Sequence, residues 1–216
     1  NFRVNSDWKV KDWLKVGEQI SFIYTQNSGI GVGNAYNNSL RGAFNTSPLA
    51  PVYSDNNKFD SPYNDTSSSD WYNADGNPYG LMMTTNNNQT NAARFTGNVY
   101  AEIEPVKNLK FRTVLGYEYY SSDYRLFTPL YQFSVYSYNT SNRTSVSQNM
   151  SHNWQLTWTN TLSYDFKIKE HSLTALLGTE AWRFDGVGVG ASNATLKSGF
   201  ADWSHAYVSN GTAATA

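Results

Sequence analysis

The sequence predicts an all-β chain, an antiparallel meander of about six long strands with short turns at one end and long loops at the other. Three observations carry this. Apolar and polar residues alternate in three paired segments, at about 1–27, 93–121 and 149–185. Each pair is joined by a short lysine-containing turn, at 11–15, 106–110 and 167–171. Long connections rich in Asn, Ser, Asp and Gly separate the pairs, at about 28–92, 122–148 and 186–216. A period of two is what a strand with one apolar and one polar face requires.

In the first hairpin Phe2, Val4, Trp8 and Val10 alternate with Arg3, Asn5, Asp7 and Lys9. The return arm alternates Val16, Ile20, Phe22 and Tyr24 with Gly17, Gln19, Ser21 and Thr25. Centring the turn on Trp13 pairs Val10 with Val16, Val4 with Phe22 and Phe2 with Tyr24. Ser6 and Glu18 fall on the apolar face, Glu18 near the turn. The second hairpin is the most regular, RFTGNVYAEIEPVKNLKFRTVLGYE over 94–118. Phe95, Gly97, Val99, Ala101 and Ile103 share a face with Phe111, Thr113, Leu115, Tyr117 and Tyr119. Arg94, Thr96, Asn98, Tyr100, Glu102 and Glu104 share the other with Arg112, Gly116, Glu118 and Tyr120. Centring on Asn108 sets Val99 opposite Tyr117, Gly97 opposite Tyr119 and Glu104 opposite Arg112. A one-residue slip would break both faces at once.

In the third hairpin Trp154, Leu156, Trp158, Leu162, Tyr164 and Phe166 alternate with polar residues from Asn153 to Asp165, with Asn160 the one misfit on the apolar face. The sixth strand spans about 172–184. Leu173, Ala175 and Leu177 suggest one face, while Leu176 and Trp182 blur it. The connections show no sustained period, and 28–92 far exceeds the roughly 12–15 residues usual for structureless loops in compact domains.

Composition narrows the class. Of the 216 residues 16% are aromatic and only 15% charged, so Asn, Ser and Thr supply the polarity. A net charge of −1 excludes the electrostatic footprint of a nucleic-acid binder. With no cysteine there is neither disulfide nor thiolate metal site. No targeting segment is visible at Asn1, and no apolar run has the length of a membrane helix.

Strands of about ten residues, short turns at one end and long loops at the other are the marks of a transmembrane β-barrel. Soluble sandwiches use shorter strands, of about 5–6 residues. The aromatics fall in two bands. Trp8, Trp13, Phe111, Tyr164 and Phe166 lie near the short turns, and Tyr24, Tyr117, Tyr119 and Trp154 lie toward the long loops. With Trp158 these read as a lipid-facing girdle. The lumen-facing set is Arg3, Asn5, Asp7, Arg94, Asn98, Glu102, Glu104, Arg112 and Glu118.

The phrases NFRVNSDWKVKDWLKVGEQISF, RFTGNVYAEIEPVKNLKFRTVLGYE and NTLSYDFKIKEHSLTALLGTEAW, in this order, resemble the barrel of SusC/RagA-type TonB-dependent transporters. The resemblance covers roughly 1–27, 93–121 and 149–185, and little of the loops. It implies a 22-stranded barrel with an internal plug in the bacterial outer membrane, bathed in outer-membrane lipid. It further implies a periplasmic TonB contact through an N-terminal region, a SusD-like surface lipoprotein as lid, and an oligosaccharide or peptide as substrate. Six strands cannot close such a barrel, so the chain is expected to be an internal segment of it, without plug domain or TonB-contacting region.

Chemistry-bearing motifs are sparse, and the expectation is no enzyme, no cofactor and no metal site. Glu102 and Glu104 stand about 7 Å apart on one strand face. A carboxylate pair serves glycoside hydrolysis when the two converge from different elements, so here they read as lumen lining. Gly29-Ile-Gly31-Val-Gly33 and Gly186-Val-Gly188-Val-Gly190 lack phosphate-loop spacing and read as ragged strand ends. His152, His171 and His205 lack metal-ligand spacing. Asp70 to Asn77 faintly resembles a calcium loop, but Trp71 stands where an oxygen ligand is needed. Trp71, Tyr72, Asp75 and Tyr79 in the same stretch are candidate substrate contacts, rings to stack and carboxylate or hydroxyl groups to hydrogen-bond. The rival readings are a passive porin or adhesin barrel and a soluble β-sandwich that binds carbohydrate.

Overall fold

The computed structural model describes residues 1–29, 39–55, 58–72, 76–139, 142–197 and 199–212. It is an all-β fold in which six strands form one open sheet in the order β1-β2-β3-β4-β5-β6, each beside its neighbours in sequence. The strands are β1 (Phe2–Lys11), β2 (Leu14–Asn27), β3 (Asn88–Val106), β4 (Leu109–Thr128), β5 (Ser145–Ile168) and β6 (His171–Ala194). The predicted strands are therefore present in the predicted antiparallel meander.

Their lengths differ from expectation. β5 and β6 have 24 residues each, not about ten. Pairing runs on into stretches that are polar on both faces, such as Asn88 to Asn91 and Ser147 to Asn149. Backbone hydrogen bonding needs a neighbouring strand, not an apolar face, so alternation marks only part of each strand. The second hairpin thus covers 88–128 and the third 145–194, and residues 186–194 belong to a strand rather than a loop.

The register of the first hairpin also differs. Phe2 pairs with Phe22, Val4 with Ile20 and Trp8 with Val16, two residues from the register centred on Trp13. The turn is Asp12-Trp13, Lys11 pairs with Leu14, and a bulge between Lys9 and Lys11 takes up the difference. An even shift keeps every side chain on its face, so apolar still meets apolar. Glu18 lies opposite Ser6, between the Trp8–Val16 and Val4–Ile20 pairs. The second turn is Lys107-Asn108, with Asn108 at φ 73, and the third is Lys169-Glu170, with Lys169 at φ 57.

Hydrogen bonds fix the phase of β6. Thr174 Oγ1 donates to Asp165 Oδ1 at 2.7 Å and Thr159 Oγ1 to Glu180 Oε2 at 3.1 Å, so the even-numbered residues of β6 share the polar face. Leu173, Ala175 and Leu177 lie on the apolar face, whereas Leu176 and Trp182 stand exposed on the polar one.

Two compact units divide the chain. The first comprises Asn1–Thr25, Asn91–Ser122 and Met150–Val189, which is sheet and short turns. The second comprises Gln26–Thr90, Asp123–Asn149 and Gly190–Ala216. Within it the connection after β2 is not structureless. It carries helices α1 (Ser39–Asn45) and α2 (Pro78–Thr85) and two short 3-10 turns. Asn77 caps α2, its side chain accepting from the Gly80 N–H at 3.0 Å, and Pro78 occupies the first helical turn, where no amide partner is needed.

The left-handed backbone at Lys169 yields the first prediction. Glycine adopts that conformation without Cβ strain, so Lys169→Gly should raise stability by about 1 kcal/mol. The readout is the urea midpoint in detergent.

Candidate functional site

On the polar face of the first unit one tyrosine ties three strands together. Tyr100 of β3 is 7% exposed and lies across β2 at Gly17. A Cβ on Gly17 would come within 2.5 Å of both the Tyr100 ring and Asp7 Oδ1. The missing side chain is the space the ring occupies, and through it the Tyr100 hydroxyl donates to the Asp7 carboxylate on β1. Lys15 Nζ stands 3.6 Å from the other Asp7 oxygen. The Arg112 guanidinium of β4 packs 4.1 Å from the Tyr100 ring centroid and reaches Glu102 Oε2 at 3.5 Å. Glu104 Oε1 accepts from the Asn108 N–H at 3.0 Å, across the turn. The candidate carboxylate pair is thus divided between two different partners.

The other polar-face residues behave similarly. Arg94 pairs with Glu118 at 2.6 Å. Asn98 Nδ2 donates to Gln19 Oε1 at 3.4 Å, beside a groove of about 380 Å³ lined by Arg3, Asn5, Gln19, Ser21, Thr96 and Asn98. The six lumen-facing residues predicted on β3 and β4 therefore stand on one face of those strands, with Arg94 and Arg112 matched by Glu118 and Glu102.

The apolar face is uncovered. Trp158 is 53% exposed, and Val99, Leu115, Leu156, Leu162 and Leu177 are open beside it. Phe95, Tyr117 and Trp154 form a ring chain with centroids 6.2 and 6.5 Å apart, and Tyr164 stacks on Phe166 at 5.8 Å. Tyr119 lies 6.4 Å from the His152 ring. Trp8 sits on this face opposite Val16. Tyr24 is exposed on β2. Trp158 falls between the two bands, its indole N–H donated to Thr113 Oγ1 at 2.9 Å.

Of the four predicted substrate contacts in the second unit, Asp75 lies outside the described residues, as do Gly31 and Gly33 of the first glycine run. Trp71 is 79% exposed in a bend held by Ser69. Tyr72 donates its backbone N–H to Ser69 O at 3.1 Å. Tyr79 is elsewhere engaged, in a ring cluster with Tyr53 at 6.1 Å and Tyr63 at 5.8 Å. Tyr63 meets the fully buried Phe133, which stacks on Tyr131. The Phe133 carbonyl accepts from both the N–H and the hydroxyl of Thr66. The ring cluster and Trp71 are separate features, not one platform.

The second glycine run is strand. In the first unit a Cβ on Gly186 would lie 2.8 Å from Asn153 Cβ, so the polar side chains of β5 fill the room these glycines leave. At the far side of the second unit's sequence, Asp202 accepts from the Ser204 and His205 amides and pairs with His205 Nδ1 at 2.8 Å. Among the described residues no group of three His, Cys, Asp or Glu is placed to hold a metal.

No protein-family model matches this chain, and no curated protein matches it. Solved structures do. The RagAB peptide importer in its closed-closed state covers 97% of the chain at TM-score 0.68 and 20% identity. The RagAB peptide transporter covers 99% at TM-score 0.67, and the open-open state of the importer covers 99% at 0.70, both at 20% identity. The chain spans 22%, 23% and 22% of those chains. The resemblance read from the three hairpin phrases therefore holds at the level of the fold.

Two predictions arise here. Gly17→Ala should cost about 1–3 kcal/mol, because the new methyl meets ring, carboxylate and backbone together. Tyr100→Phe should cost less, about 1 kcal/mol, since water can replace the lost donor at the solvent-open Asp7. In a double-mutant cycle read by urea unfolding in detergent, Gly17→Ala combined with Tyr100→Ala should lose less than the sum of the single changes. The second prediction concerns Asp202, whose carboxyl the hydrogen bond from His205 holds below the ordinary aspartate value of 3.8. A depressed folded value means that its contribution is full well above 3.8 and fades as pH falls through that value and below. Amide exchange at Ser204 and His205 should therefore accelerate, relative to intrinsic rates, as the protein is acidified into that range.

Proposed function

We propose that this chain is barrel wall in an outer-membrane importer of the SusC/RagA type, and that the imported solute is a peptide. The observation that carries the reading is the uncovered apolar face, banded with aromatics, on a sheet whose course follows the RagAB importer chains over nearly its whole length. A soluble sheet buries such a face against a second layer. A membrane sheet leaves it to lipid and carries its polar groups on the other side. No helix among the described residues is long and apolar enough to cross a membrane, so any crossing falls to the strands.

In this reading Val99, Leu115, Leu156, Leu162 and Leu177 meet hydrocarbon, and Tyr117, Tyr119, Trp154, Tyr164 and Phe166 meet the two interfaces. Arg94, Asn98, Glu102, Arg112 and Glu118 face the lumen and whatever fills it. The long connections stand at the extracellular mouth, where a SusD-like lipoprotein closes over the solute, and energy arrives from TonB through a plug. The chain itself binds and guides and performs no covalent chemistry. A peptide is preferred to an oligosaccharide because the matching structures are described as peptide importers.

The test is uptake by cells that express the intact protein, with labelled peptides and labelled oligosaccharides offered in parallel. Peptide accumulation that a protonophore abolishes is the expected result. Accumulation of oligosaccharides alone would move the substrate to sugars. Entry of any small solute, indifferent to the protonophore, would identify a passive pore and overturn the reading.

A further inference from the structure

Arg125 of β4 belongs to the second unit and is dressed by residues from the segment after β6. Its guanidinium carbon lies 3.9 Å from the Trp203 ring centroid and 4.3 Å from that of Tyr207. A guanidinium carries five N–H donors in one plane. Among the described residues its one hydrogen bond runs from Nη1 to the Ala206 carbonyl, at 3.5 Å, the long limit of such a bond. Among the described residues no carboxylate forms an ion pair with it. Two rings thus displace water from a cation and hold it in place, while most of its donor edge has no acceptor among the described residues.

We propose that Arg125, Trp203 and Tyr207 form a binding site for a carboxylate. The fork of a ring-held guanidinium matches the two oxygens of a carboxylate, and pre-positioning by the rings removes much of the entropy lost on binding. Phosphate presents similar oxygens, but the local charge disfavours it. Of Arg125, Trp203 and Tyr207 only Arg125 carries a charge, and Asp123 lies two residues before it on the same strand face. Asp202, beside Trp203, is already paired with His205. One positive charge offset by nearby carboxylates suits a monoanion better than a dianion. The rings, with Tyr207 exposed, provide apolar surface for the body that carries the carboxylate. Two sources share this chemistry, a small free organic acid and the C-terminus of a peptide. The site does not depend on the importer reading, since a pore or a receptor would present it equally.

Calorimetric titration of the intact protein in detergent tests it with four probes: acetate, inorganic phosphate, a tripeptide with a free C-terminus, and the same tripeptide as its C-terminal amide. The free-acid tripeptide is expected to bind and its amide not to. Arg125→Lys should weaken binding about tenfold or more, because the ammonium keeps the charge but loses the fork and the stacking. Acetate binding as tightly as the tripeptide would support the site and assign it to small acids. Equal binding of acid and amide, phosphate binding tighter than either carboxylate, or affinity unchanged in Arg125→Lys would each overturn the proposal. The acid–amide comparison uses only unaltered protein and so stands even if the variant misfolds.

Discussion

Backbone pairing between consecutive strands carries the first unit almost alone. Among the described residues only six apolar side chains are buried, and Tyr100 is the single one of them in that unit. A sheet with no core beneath it depends on a complete hydrogen-bond ladder and on contacts between neighbours across strands. That dependence accounts for several features together: two-residue turns that lose little pairing, strands that continue after their alternation stops, and matched pairs such as Arg94 with Glu118. It also accounts for the one buried aromatic of that unit. Tyr100 lies flat in the gap left by Gly17, so the aromatic ring gains contact without lifting the strands apart.

The second unit works on the opposite principle. It has buried apolar groups in two places, Phe133 among its tyrosines and Phe127 with Val146, Leu196 and Ala206. Its interior is nonetheless largely polar. Asn64, Thr66, Asn77, Ser134, Ser137 and Asn139 are all buried, and several bond backbone carbonyls, as Asn77 Nδ2 does with Val52 O at 2.7 Å. Irregular backbone offers many carbonyls and amides without ladder partners, and short amide and hydroxyl side chains are the ones that reach them. Among the described residues, the Asn, Ser and Thr of the connections thus serve the irregular backbone they stand beside.

The strands and their faces were legible because period two is imposed by the backbone itself, and residues from Trp154 to Phe166 obey it with Asn160 the one exception. Limits of strands were not legible, since residues such as Asn88 to Asn91 offer no face to read. The first register escaped for a subtler reason: shifts of two residues are equivalent to a face pattern, and only the bulge at Lys9 to Lys11 separates them. The phase of β6 was obscured by Leu176 and Trp182, apolar residues standing on the polar side. Of the site, the polar stripe from Arg94 to Glu118 could be drawn from spacing alone. The Arg125 cage could not, because Trp203 and Tyr207 come to it from a segment with no periodic signal, and the same is true of Tyr79 and Phe133.

The run Gly186-Val187-Gly188-Val189 gives this part of β6 side chains on one surface only. Bending a sheet crowds whatever stands on its concave side and spreads whatever stands on its convex side. At Gly186 and Gly188 nothing of β6 itself resists compression on the polar side, while the valines on the other are free to separate. The run is therefore a crease, a line along which the sheet can take up curvature at little steric cost, set in the sequence by nothing more than the omission of two side chains.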